Sequence, residues 1–134
     1  MSIGVGELKE RRAAAVGLLL CVAAGLTVRA VTSGAFADVA GVVLYATAVH
    51  TLVLLIRPRT SVPGAAVIAL AVCWAVELAQ LTPGPAAAAG RSLLARLVLG
   101  STFTGSDMLA YPIGILLAVA IRWAAATRHR LSRL

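Results

Sequence analysis

Charge is scarce in this chain, and negative charge is scarcest. The 134 residues carry five Asp and Glu against twelve Lys and Arg, 13% charged in all. A soluble domain of this length has a high surface-to-volume ratio and is typically about one-quarter charged. The shortage argues against a water-exposed surface. Aromatic residues are equally rare, at 4%. A net charge of +7 could suggest nucleic acid, but the basic residues flank apolar runs instead of interleaving with aromatic platforms. No nucleic-acid partner is expected. The two cysteines, Cys21 and Cys73, lie inside apolar segments far apart in sequence. That excludes a disulfide framework and leaves too few close ligands for a metal cluster. No Gly-rich phosphate loop or nucleophile elbow occurs, and no cofactor is implied.

Apolar residues are what the chain has in abundance: 60% of the composition, with a mean hydropathy of +0.96. The apolar runs are long and lack period-two alternation, so the expected class is all-α and integral to a membrane, not a barrel. One transmembrane domain over 1–134 is expected, with spans at about 13–32, 39–56, 62–81 and 107–127. The first span has twenty residues, about 30 Å of helix at 1.5 Å per residue, which matches the hydrocarbon core. The same run could be read as a signal peptide cut after Ala35-Phe36-Ala37, but it is long for one, and Arg29 interrupts the approach to the cut. Asp38 opens the second segment, and Arg57-Pro58-Arg59 ends it. Pro63 suits the first turn of the third, and Pro83-Gly84-Pro85 is expected to break it. Between Arg91 and Leu99, the apolar Leu93, Leu94, Leu97 and Val98 suggest a short interfacial or re-entrant helix before the last span. Ser106 or Asp107 starts that span, Pro112 is expected to kink it, and Gly114 and Ala118 offer a small-residue face for close packing.

Orientation follows from the basic residues at the helix ends. Nine fall on one side: Lys9, Arg11, Arg12, Arg57, Arg59, Arg122, Arg128, Arg130 and Arg133. Three fall on the other, Arg29, Arg91 and Arg96. Both termini are therefore expected in the cytoplasm, with Arg128-His129-Arg130 near anionic lipid.

Glu77 stands out on this topology. It follows seventeen uncharged residues, Thr60 to Val76, near the C-terminal end of its helix. The helix dipole disfavours an anion there, and the bilayer disfavours any unpaired charge. A cationic partner is expected, with Arg29, Arg91 and Arg96 the candidates at that depth. At 100° per residue, Cys73, Trp74, Glu77 and Gln80 share one helix face. Asp38, Gly41 and Tyr45 share another, as do Asp107, Tyr111, Gly114 and Ala118. Three stripes, each with a carboxylate at its outer end, would converge on a polar pocket with an aromatic floor. The plainer alternatives are N-cap roles for Asp38 and Asp107, and a buried network that fixes helix register. His50, beside Thr47 and Thr51, reads as a hydrogen-bonded packing residue.

These residues carry a resemblance. Gly41-x-x-Leu44-Tyr45-Ala46, Glu77-Leu78-x-Gln80-Leu81 and Leu99-Gly100-x-x-Phe103-x-x-x-Asp107-x-x-x-Tyr111-x-x-Gly114 resemble the bacterial family called domain of unknown function 2809. Its members are small four-span membrane proteins of unassigned activity. The Glu-x-x-Gln followed by Asp and Gly is also similar to the wider VanZ-like family, associated with glycopeptide resistance, although Tyr111 stands where that family tends to have asparagine. The residues and the resemblance together suggest an outer-face site for a lipid head group, a lipid-linked envelope precursor or an amphipathic antibiotic. The other readings are an enzyme using Glu77 or Asp107 as general acid or base, and a structural subunit presenting its Gly114/Ala118 face to a partner.

Overall fold

The computed structural model describes residues 4–99 and 105–134. Among the described residues six helices follow one another: α1 (Val5–Val31), α2 (Ala35–Ile56), α3 (Val62–Ala79), α4 (Pro83–Arg91), α5 (Leu93–Leu99) and α6 (Asp107–Leu131). Four of them, α1, α2, α3 and α6, are long and apolar enough to cross a membrane.

Local chemistry sets the ends of these helices. The α1 helix is longer than its apolar run, at 27 residues or about 40 Å. Its extra turns carry the polar leader, where Glu7 and Arg11, one turn apart, pair at 3.4 Å. Arg59, in the loop after α2, reaches the same carboxylate at 4.0 Å. The turn into α2 passes through Gly34 at φ 80°, a left-handed conformation open to glycine at little cost. Helix α2 therefore starts at Ala35, and Asp38 lies in its first turn instead of capping it. Asp107 is likewise the first residue of α6, behind Ser106. Ser61 caps α3 by accepting from the Gly64 amide at 3.1 Å, and Pro63 occupies the first turn as expected.

The sequence 83–91 departs from expectation. Pro83-Gly84-Pro85 does not simply break the chain: α3 ends at Ala79, and Pro83 opens α4. A proline in the first turn gives up an amide that has no partner there in any case, so the alanine run behind it is free to coil. Ser92 then separates α4 from α5, its hydroxyl accepting from the Ala95 amide at 3.3 Å. The two short helices pack chiefly on one another. In place of one short segment there are two, with Leu93 and Leu94 exposed. The side chains of Leu97 and Val98 lie outside the described residues, as do Gly100, Ser101, Thr102 and Phe103.

Helix α2 is central, packing on α1, α3 and α6, while α3 also meets α6. Gly17 faces Thr51 and Gly41 faces Arg29, so α1 and α2 run antiparallel. Gly114 faces Val43 and Ala46 while Asp107 lies near Asp38, so α2 and α6 run parallel. The interior is built from small residues: Ala46, Ala65, Ala69 and Cys73 are fully buried, with Tyr111, Ile115 and Ala118 beside them. Large apolar residues such as Leu19, Leu20, Val67 and Leu116 point outward. A protein in water would invert that arrangement. In lipid, packing and hydrogen bonding drive helix association, so small residues belong at the contacts.

Of the described glycines, Gly114 has the closest neighbours. A Cβ there would lie 2.6 Å from the Val43 carbonyl oxygen and 2.8 Å from the Ala46 Cβ. Thr47 Oγ1 donates to the Gly114 carbonyl at 3.1 Å across the same contact. Gly114 thus packs on α2 inside the chain, and Ala118, one turn on, is buried as well.

Candidate functional site

Alternation of the spans brings four helix ends to one end of the bundle: the C-terminal ends of α1 and α3 and the N-terminal ends of α2 and α6. Glu77 lies there, two residues before the end of α3, with 1% of its surface exposed. The Tyr111 hydroxyl of α6 donates to its carboxylate Oε2 at 2.8 Å. This bond spans two helices in a buried setting, where a charge-assisted hydrogen bond is strong and its loss is costly. The phenol gives the dipole-opposed carboxylate a donor from outside its own helix.

Around that pair stand the other predicted residues. The Tyr45 ring of α2 lies 6.1 Å from the Tyr111 ring at a 54° tilt, within the range of favourable aromatic pairs. Tyr45 is also close enough to sense the Glu77 charge. Asp107 lies within electrostatic range of both Glu77 and Asp38. The three acids on three helices are thus gathered at one end. Trp74, one turn before Glu77, donates its indole N–H to the Met108 carbonyl of α6 at 3.0 Å. Arg29 lies over the bare backbone of Gly41, its Nε 3.6 Å from the position a Cβ would take. It brings the α1 guanidinium one turn from Tyr45.

Arg91 and Arg96 belong to the α4–α5 pair. Arg91 ends α4, and Arg96 reaches back to the Ala89 carbonyl at 3.4 Å. Gln80 is the C-cap residue of α3, its amide bonded to the carbonyls of Val76 and Glu77. His50 is 1% exposed, with Nε2 3.5 Å from the Val62 carbonyl. It lies twelve residues along α2 from Asp38, about 18 Å away along the helix axis, so it is no part of this cluster. Among the described residues no group of three or more His, Cys, Asp or Glu is placed to hold a metal ion.

Two contacts were missed from the sequence, the Trp74 bond to a main-chain carbonyl and the Thr47 bond to Gly114. Backbone acceptors carry no residue signal. The nearest hint for the first was Pro112, four residues beyond Met108.

Four membrane-length apolar helices, with their small residues inside and large ones outside, define a multi-pass membrane protein. Within that class the chain belongs to the family described as "Protein of unknown function (DUF2809)", whose model matches residues 31–115. The matched segment holds every residue of the cluster except Arg29. Comparison with curated proteins and with solved structures gave no match. The wider VanZ-like resemblance rests on the sequence motifs alone.

Proposed function

We propose that the acidic end of the bundle binds the polar head group of a membrane amphiphile, a lipid-linked envelope precursor or an amphipathic antibiotic. The protein would do so at the outer face of a bacterial cytoplasmic membrane, with both termini inside. The observation that carries this reading is Glu77, a buried carboxylate held by Tyr111 at the same end of the bundle as Asp107 and Asp38. Ionisable groups at such depth mark sites and pathways more often than plain structure. Asp38 is exposed and Asp107 half-exposed, so both are open to a ligand arriving from the head-group layer. Three carboxylates with two tyrosine rings favour an amine-bearing head group, since ammonium ions are attracted both to carboxylates and to aromatic faces. Support for the orientation comes from the nine-to-three division of basic residues.

A second reading is favoured by the same Tyr111–Glu77 bond: a structural network that fixes how α3 and α6 meet. Native mass spectrometry separates the two. Wild-type and Glu77→Gln proteins, purified in mild detergent, are titrated with short-chain phosphatidylethanolamine and phosphatidylglycerol. Preferential retention of the amine lipid, lost in Glu77→Gln at equal yield of folded protein, supports the binding site. Unchanged lipid binding, or a collapse in folded yield, supports the network. An enzymatic role for Glu77 or Asp107 would require turnover of such a lipid, lost on Asp107→Asn.

A further inference from the structure

In a helix each carbonyl accepts from the amide four residues later. For Met108 that residue is Pro112, which has no N–H. A main-chain acceptor deprived of its helical donor has to take a partner from outside its own helix. The partner observed is the indole of Trp74, 3.0 Å away on α3. Glu77 and Tyr111, one turn along from Trp74 and Met108 on their respective helices, make the second bond between α3 and α6.

The geometry points to Trp74 as the positioning residue of the site: its indole replaces the missing Pro112 amide and thereby holds Tyr111 on Glu77. Tyr111, which meets Glu77 from α6, and Asp107, within electrostatic range of it, both precede Pro112. At the proline, this opening stretch of α6 loses one of the bonds tying it to the rest of the helix. Steadying must then come from outside α6, and Trp74 supplies it from the helix that carries Glu77. The two bonds form one clamp, with donor and acceptor roles crossing between the helices: α3 donates at Trp74 and accepts at Glu77. What the site binds has no bearing on this inference.

The test is a double-mutant cycle in the purified protein, without ligand. Trp74→Phe in the wild-type background removes the indole donor from the Met108 carbonyl. It should raise the unfolding equilibrium constant by roughly three- to fifteen-fold, the span of measured bonds between membrane helices. In the Pro112→Ala background the new amide takes that carbonyl, and the same change should cost less than about two-fold. The infrared band of the Glu77 carboxyl, assigned by its loss in Glu77→Gln, should shift in Trp74→Phe and return in Trp74→Phe/Pro112→Ala. Equal costs in the two backgrounds would overturn the inference, as would a Glu77 band that ignores Trp74. Should Trp74→Phe fail to fold, Pro112→Ala alone decides. With Trp123 replaced by Phe for assignment, the Trp74 indole N–H resonance should move upfield as its bond is surrendered. An unmoved resonance would refute the substitution of donors.

Discussion

Gly114→Ala tests the packing that brings α6 against α2. An added Cβ would lie 2.6 Å from the Val43 carbonyl oxygen and 3.0 Å from the Val43 Cα, both backbone atoms that cannot swing aside. Restoring an ordinary contact of about 3.4 Å moves the helices apart by about 0.8 Å. That displacement would stretch the 3.1 Å bond from Thr47 Oγ1 to the Gly114 carbonyl beyond hydrogen-bond reach. Overpacking of this kind costs about 1–3 kcal/mol, and a lost bond between membrane helices adds about 0.6 kcal/mol. Against these stands the helix preference of Ala over Gly, worth up to about 1 kcal/mol. The steric term wins, and the expected net destabilisation is about 1–2.5 kcal/mol. Reversible unfolding in mixed micelles measures it. Gly25→Ala is the control: nothing lies within 4 Å of a Cβ at that position, so helix preference acts alone and the variant should be neutral or slightly more stable. Equal responses at the two glycines would refute the close approach of α2 and α6.

Three further outcomes follow from individual contacts. Tyr111→Phe takes the donor from a buried carboxylate and should destabilise the fold by about 1–2 kcal/mol in the same assay, since bonds to charged groups exceed the average for membrane helices. Ser61→Ala removes the cap of α3 and should cost about 1 kcal/mol, most of it recovered by Ser61→Asp. Arg59→Ala should change unfolding by less than about 0.5 kcal/mol, because its side chain is 92% exposed and meets Glu7 only at 4.0 Å.

The spans were legible because a bilayer demands uncharged runs of fixed length, and Thr60 to Val76 or Val39 to Ile56 could hardly serve otherwise. Their ends were less so. Hydropathy marks where lipid stops, not where the helix stops, which is why α1 runs back to Val5 through charged residues and α6 runs on to Leu131. The proline pair at 83–85 signalled an interruption, yet a proline that ends one helix is equally suited to start the next. For the site, periodicity placed Glu77, Tyr45 and Tyr111 on inward faces. It could not say how far each helix is rotated about its axis. So the Tyr111 phenol on Glu77 Oε2 and the reach of Arg96 to the Ala89 carbonyl were not legible in the spacing. The same blindness hid which surface the Gly114 face would meet: small residues announce a close contact without naming the neighbour.

The central claim is that acids from separate helices meet at the outer end of one bundle. Its most direct test is labelling of intact cells with a membrane-impermeant maleimide, using Asp38→Cys and Asp107→Cys singly in a chain carrying Cys21→Ser and Cys73→Ala. Both positions should label from outside, and in a chain carrying both cysteines a short bifunctional maleimide should bridge them within one molecule. Labelling of one position only after the membrane is opened, or two outward cysteines that never bridge, would contradict the gathering of these carboxylates.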